Sequence, residues 1–243
     1  MDKLIALVFG TVSYFVFFGT FLYAIGFVGN LIVPKSIDSG TEESIFGSLT
    51  INLLLLTLFA VQHSVMARPE FKKWWTRFIP EPAERSVFVL LASLVLLLLF
   101  WQWRPMPEIV WSVENPVGYF ALKGIFAAGW LIVLLSTFMI NHFDLFGLRQ
   151  VYLHQRGTKY TDLGFRTPAF YKFVRHPIML GFIIAFWATP QMSLGHLLFA
   201  TVTTAYILVA LQLEERDLTG HYGETYEQYK SRVGMLIPLP KKE

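Results

Sequence analysis

"IMLGFIIAFWATPQMSLGHLLFATVTTAYILVALQL", residues 178–213, is the stretch whose reading decides the fold. It holds about 36 mostly apolar residues. As one helix rising 1.5 Å per residue it would measure roughly 54 Å, too long for a single crossing of a hydrocarbon core of about 30 Å. Thr189-Pro190-Gln191 and Ser193-Leu194-Gly195 interrupt the run, and proline and glycine end helices. The stretch therefore reads as a helical hairpin that turns near Pro190.

Upstream, the apolar runs 4–33, 45–66, 86–103 and 117–140 are each long enough to span a bilayer. The chain has 243 residues, of which 54% are hydrophobic and 15% charged, with 23 Phe. That balance excludes a soluble globular domain. The fold class expected is an all-α integral membrane protein of about five to six transmembrane helices, including the hairpin, with an amphipathic cytoplasmic tail. The first run is longer than a signal-peptide core and no cleavage pattern follows it, so it reads as a retained span. One membrane domain is expected over 1–243: a four-span bundle (1–140), a cytoplasmic connection (141–177), and hairpin plus tail (178–243).

Charge sets the orientation. The connections 34–44 and 104–116 carry Lys35 and Arg104, whereas 67–85 carries Arg68, Lys72, Lys73, Arg77 and Arg85. The connection 141–177 adds Arg149, Arg156, Lys159, Arg166, Lys172 and Arg175, and the tail Arg216, Lys230, Arg232, Lys241 and Lys242. The positive-inside rule puts these three segments and both termini in the cytoplasm, as for a multi-pass protein of the bacterial inner membrane whose active site faces inward. A net charge of +3 dispersed over short connections offers no nucleic-acid groove. With no cysteine in the chain, any thiol chemistry belongs to the substrate.

The six histidines include no pair at i,i+3 or i,i+4, so no metal site is expected. His63, in "VQHSVMAR", reads either as a polar contact between helices or as a pocket residue. In "INHFDLFG", Asn141, His142 and Asp144 either close the fourth span, with Gly147 as the stop, or line a pocket. Glu214 and Glu215 follow the last apolar run. A helix C-terminus disfavours negative charge, so a cationic partner is expected there: Arg175, Arg216 or a positively charged ligand. Beyond them Leu218, Tyr222, Tyr226 and Tyr229 recur at helical spacing.

"VRHPIMLG", an apolar hairpin, and then "EERDLTGHYGETYEQYKSRVGMLIP" together resemble the C-terminal half of the isoprenylcysteine carboxyl methyltransferase superfamily. The shared pattern is Arg175-His176-Pro177, Gly181, Glu214-Glu215, Leu218, Tyr222-Gly223, Tyr226, Tyr229 and Pro238; Met179 departs from it, standing where an aromatic residue is common. "VQHSVMARPEFKKWW", "ERSVFVLLASLVLLLLFWQWRP", "INHFDLFGLRQVYL" and "AFWATPQMSLGHLLFA" narrow the resemblance to the bacterial methanethiol S-methyltransferases, which use S-adenosylmethionine to make dimethyl sulfide. That resemblance implies a cofactor site in the hairpin and tail. Arg175 and His176 would meet the polar end of S-adenosylmethionine, with Pro177 opening the helix, Gly181 allowing close approach and Glu215 completing the network. Tyr222 and Tyr226 would pack around the adenosine. Glu214, His63 and His142 are the catalytic candidates for taking the thiol proton, with a tyrosine as a further acceptor. The partners implied are a small thiol and the bilayer. The competing readings are methylation of another thiol or of a prenylcysteine carboxylate, a sterol-type NADPH-dependent membrane reductase, and a non-enzymatic membrane component related to nitrite and nitric oxide metabolism.

Overall fold

The structure is a computed structural model and describes residues 1–237; Pro238, Lys241 and Lys242 lie outside the described residues. Helix α1 (Lys3–Gly29) starts where the Asp2 carboxylate accepts from the Leu4 amide at 2.7 Å, and stops at Asn30, which takes a left-handed φ of 50°. That cap ends the span before residue 33, where the apolar run alone would end it. Helix α2 (Ile45–Ala67) is capped by Ser44, and the short α3 (Pro69–Trp75) follows at once. Helix α4 (Glu81–Gln102) begins five residues ahead of the expected 86, because Pro82 sits in its first turn, where no amide is needed, and Glu81 and Glu84 suit the helix dipole.

Strand β1 (Ile109–Ser112) precedes α5 (Pro116–Ile140), capped by Asn115. Asn141, at φ 138°, ends α5; Gly147, expected as the stop, instead opens the next helix but one. Helices α6 (His142–Leu145) and α7 (Leu148–Arg156), a 3-10 turn over Ala169–Lys172, and α8 (Pro177–Trp187) come next. Strand β2 (Gln191–Ser193), α9 (Leu194–Tyr222) and α10 (Glu224–Arg232) complete the described chain.

Helices α1, α2, α4, α5 and α9 are long and apolar enough to cross a bilayer, and the chain is a multi-pass membrane protein. The hairpin is present with unequal arms: α8 has 11 residues and α9 has 29. Its turn is pinned by pairing of β1 with β2 and by the Val113 amide, which donates to the Pro190 carbonyl at 2.8 Å. The long arm corrects one expectation. Glu214 and Glu215 do not end a helix; α9 continues about two turns to Tyr222 and breaks only at Gly223, at φ 55°. The dipole conflict expected at these carboxylates does not arise.

The described residues form two compact units: 1–108 with 142–162 and 193–196, and 109–141 with 163–192 and 197 onward. In the first, α1 packs on α4 and α7, and α2 on α4 and α3. The fully buried Asn52 ties α2 to the Arg104 backbone, donating to its carbonyl at 2.8 Å and accepting from its amide at 2.9 Å. In the second, α5 and α8 touch backbone to backbone. A Cβ on Gly181 would lie 2.7 Å from the Gly129 carbonyl oxygen, and one on Gly129 would lie 2.7 Å from the Ala185 amide. Small residues allow this approach, the usual way helices associate in lipid.

Candidate active site

The second unit gathers most of the residues singled out from the sequence. Residues 174–176 run beside the segment after α10: Val174 bridges Gly234 in parallel, the Arg175 amide donates to the Gly234 carbonyl at 2.9 Å, and the His176 amide donates to Met235 at 3.2 Å. Pro177 then opens α8, its missing amide costing nothing at the first position. This pairing holds Arg175 and His176, both more than 90% buried, against α9.

Arg175 reaches Glu215 Oε1 with both Nε and Nη2 at 2.6 Å, and their side chains are only 3% and 4% exposed. Its Nη1 donates to the Lys230 carbonyl at 3.3 Å and to the Val233 carbonyl, which cap the end of α10. The same Glu215 oxygen lies 3.1 Å from His176 Nε2, and Glu215 Oε2 is 3.4 Å from Lys230 Nζ. A carboxylate only accepts, so Nε2 carries a proton toward Glu215. Nδ1 faces Glu214 Oε2 at 3.7 Å, beyond hydrogen-bond range, and the Glu214 side chain is 49% exposed.

Three phenols surround these charges. The Tyr226 side chain is buried, with the Arg175 guanidinium close to its hydroxyl. Burial, then the Glu215 carboxylate, pushes its pKa up despite the pull of Arg175. Burial and Glu214 likewise raise Tyr171. Tyr229, which donates to the Tyr171 carbonyl at 2.5 Å, is pushed up to about 12. All three are held further from ionisation than an ordinary tyrosine.

Tyr222, the last residue of α9, packs on Phe165 with ring centroids 5.2 Å apart. Gly181 is on α8, and its close approach is to the α5 backbone. His63 and His142 belong to the first unit. His63 lies between Phe59 and Phe88, at 5.2 and 5.0 Å. His142 Nε2 is 2.9 Å from the Tyr14 hydroxyl, within a ring of Phe17, Phe143 and Phe146. Asp144 is held by Arg149 at 2.9 Å and Tyr160 at 3.2 Å.

Burial holds the His142 imidazole below its ordinary 6.5. The native ring resists a proton that the unfolded chain would take up, so its stabilisation is intact above about pH 6.5 and is lost as pH falls below that value. In thermal melts from about pH 7 to about pH 5, His142→Gln is expected to flatten this acid-side loss. An equally steep loss in the variant would assign the effect to another group.

Lys230, Tyr171, Phe165 and Tyr14 were not foreseen from the sequence. Lys230 follows Tyr226 by one helical turn in the tail already read as amphipathic, a spacing that could have placed it on the same face. The others sit in segments whose folding only the structure shows.

The chain is 56% identical over 242 residues to the "Methanethiol S-methyltransferase" of Mycobacterium tuberculosis, covering 100% of this chain and 99% of the relative. It is 60% identical over 236 residues to "Methanethiol S-methyltransferase 1" of Bradyrhizobium diazoefficiens, covering 97% and 83%. The chain belongs to the methanethiol S-methyltransferase family. Members of this family are enzymes that act with a methyl donor, and the chain is a methyltransferase. The family described as "NnrU protein" matches residues 51–213. "Nurim" of Mus musculus is 30% identical over 189 residues, 73% of this chain and 70% of that one. No solved structure matches.

Proposed function

We propose that the chain methylates methanethiol to dimethyl sulfide with S-adenosylmethionine, at the Arg175–His176–Glu215 cluster. The observation that carries this reading is the state of the two adjacent carboxylates. Glu215 is saturated by Arg175, His176 and Lys230, whereas Glu214 is half exposed and, among the described residues, lies 3.7 Å from His176 Nδ1. A half-exposed carboxylate, an imidazole edge and a buried phenol form a site for a ligand with positive charge and both donors and acceptors. S-adenosylmethionine has that character, and the residues fit it.

When bound, the cofactor supplies a methyl group on a positively charged sulfur. In this reading Arg175, with its donors committed to Glu215 and the α10 carbonyls, organises the site instead of touching the ligand. His176 Nδ1 accepts from the ligand's amino group, Glu214 faces its positive charge, and Tyr226 donates from its hydroxyl. Pro177 and Gly181 set the position of α8, and Tyr222 flanks the adenosine with Tyr226. Attack by sulfur requires loss of the thiol proton, since a thiol ordinarily titrates near 8.5. Within this cluster Glu214 is the proton acceptor, directly or through water; His63 and His142 are the candidates in the first unit. Opposite charges cancel as the methyl moves, so excluding water and aligning the groups is the main task of the site. The basic segments adjoining the cluster support, by the positive-inside rule, a site that faces the cytoplasm from a bacterial inner membrane.

Purified protein given S-adenosylmethionine and methanethiol is expected to release dimethyl sulfide, read by headspace chromatography. NADPH or a prenylcysteine offered in their place should give no product. Cofactor binding without a volatile product would overturn methanethiol as substrate. In titration calorimetry, His176→Ala is expected to weaken cofactor binding about tenfold, the loss of one charge-assisted contact; unchanged affinity would remove His176 from the site.

A further inference from the structure

The corner of the first unit where α2 meets α3 and α4 holds more positive charge than it balances. Arg68 ends α2, and its Nε donates back to the Ser64 carbonyl at 3.3 Å, which lays the guanidinium along the last turn of that helix. Lys72 follows by one helical turn, its amide donating to the Arg68 carbonyl at 3.0 Å. Arg85, on α4, donates from Nε to the Leu145 carbonyl at 2.8 Å and lies over the Phe88 ring at 5.2 Å. Phe88 belongs with Met66 and Val89 to the buried core on which Phe71 and Trp75 of α3 pack. The three cations therefore stand around one apolar core.

Their balance is uneven. Arg104 and Arg149, in the same unit, each hold a carboxylate at 2.9 Å, Glu43 and Asp144 respectively. Lys72 forms no ion pair of that kind among the described residues; Arg85 and Arg68 act against its charge and Glu84 acts for it. Burial, and next Arg85, push its pKa below the ordinary 10.5. An anion brought to this ammonium would relieve the repulsion.

The surroundings say what kind of anion fits. Lys72 lies just past Ala67, the last residue of a helix long enough to cross the bilayer, at the end that the positive-inside rule turns to the cytoplasm. Beside it Trp74 and Phe78 are 48% and 70% exposed, with their rings 5.5 Å apart. Exposed aromatic rings next to a span mark the headgroup layer. Leu58, Val61 and Val65 are exposed on one face of α2 and form an apolar strip that leads toward Arg68. A free anion would meet the cations and leave the strip unused, whereas a lipid meets both.

We propose that the corner formed by Arg68, Lys72 and Arg85 binds the headgroup of an anionic phospholipid, its phosphate at the Lys72 ammonium and its acyl chains along Leu58, Val61 and Val65. Bound there, the lipid neutralises Lys72 and braces α3 against α2 and α4. All of these residues belong to the first unit, so the site stands or falls apart from the cofactor reading.

The test uses full-length protein in neutral detergent, titrated by calorimetry with dioctanoyl phosphatidylglycerol. Binding is expected to saturate and to weaken as salt is raised. Dioctanoyl phosphatidylcholine, which carries its own cation, and inorganic phosphate are expected to bind far more weakly. Lys72→Gln should lower the affinity about fivefold, the worth of one basic residue near an anionic headgroup. Lys72→Arg and Lys73→Gln, the latter at an exposed neighbour, should stay close to wild type. Without lipid, Lys72→Gln is expected to melt above wild type, because the repulsion is gone, and to lose the rise in melting midpoint that phosphatidylglycerol gives wild type. Equal affinity for phosphatidylcholine would overturn recognition of charge, and equal affinity for inorganic phosphate would overturn the lipid as occupant. An equal loss in Lys73→Gln would show diffuse surface attraction in place of a site.

Discussion

Glu215→Ala is expected to destabilise the protein by about 3–5 kcal/mol and to abolish cofactor binding, because it leaves the Arg175 guanidinium buried without its counter-charge. Arg175 is 5% exposed and Glu215 4%, so water cannot replace the lost carboxylate. The same change removes the acceptor of the His176 proton and of the Lys230 ammonium. The damage should show as a lower melting midpoint in detergent and as loss of calorimetric heat on adding cofactor. Glu215→Gln keeps the shape and one acceptor oxygen and is expected to recover part of the stability. The double change Arg175→Met with Glu215→Leu separates structure from function. Apolar groups of similar volume often replace a buried ion pair without loss of stability, so the double variant is expected to melt near wild type and still bind no cofactor. If it binds normally, the ion pair does not organise the site.

Gly181→Val is expected to be a severe packing defect in the second unit. Even one Cβ there would stand 2.7 Å from the Gly129 carbonyl oxygen and 2.9 Å from the Val133 amide nitrogen. Backbone atoms on both sides cannot move aside as a flexible side chain would. The added methyls force α5 and α8 apart, with a cost at or above the roughly 1–3 kcal/mol of ordinary overpacking. Size-exclusion chromatography of solubilised protein should show loss of the monodisperse peak. Gly124→Val is the control, since no neighbouring element among the described residues comes within 4 Å of that Cβ position, and it should elute as wild type. Equal behaviour of the two variants would show that the close approach of α5 and α8 is dispensable.

Much of the architecture was legible because lipid imposes a simple rule: long apolar runs must be helices, with their hydrogen bonds satisfied internally. The ends were less legible, since they depend on single residues. Asn30 halts α1 within an apolar run, Pro82 advances α4, and Asn141, not Gly147, ends α5. The end of α9 was misplaced because hydropathy falls at Glu214 while helical propensity does not; glutamate and arginine continue a helix as well as leucine does. Within the site, the chemical types at 175, 176, 214 and 215 were readable, but their division of labour was not. Adjacent glutamates look alike in sequence, yet one is saturated inside and the other is half exposed, a difference set by which face of α9 meets Arg175. Phe165 carried no signal, because its partners are tyrosines more than fifty residues away.

The pairing of residues 174–176 with 234–235 has a consequence for the order of events during biogenesis. These strands of chain meet across α8, the turn, all of α9 and α10, so the chain must be made through Val233 before the Arg175 side chain can meet the carbonyls of 230 and 233. Contacts between distant parts of a sequence form late. If the cluster is the cofactor site proposed above, a chain arrested short of Val233 lacks the carbonyls that hold Arg175 and is expected to bind no cofactor even with its spans in the bilayer.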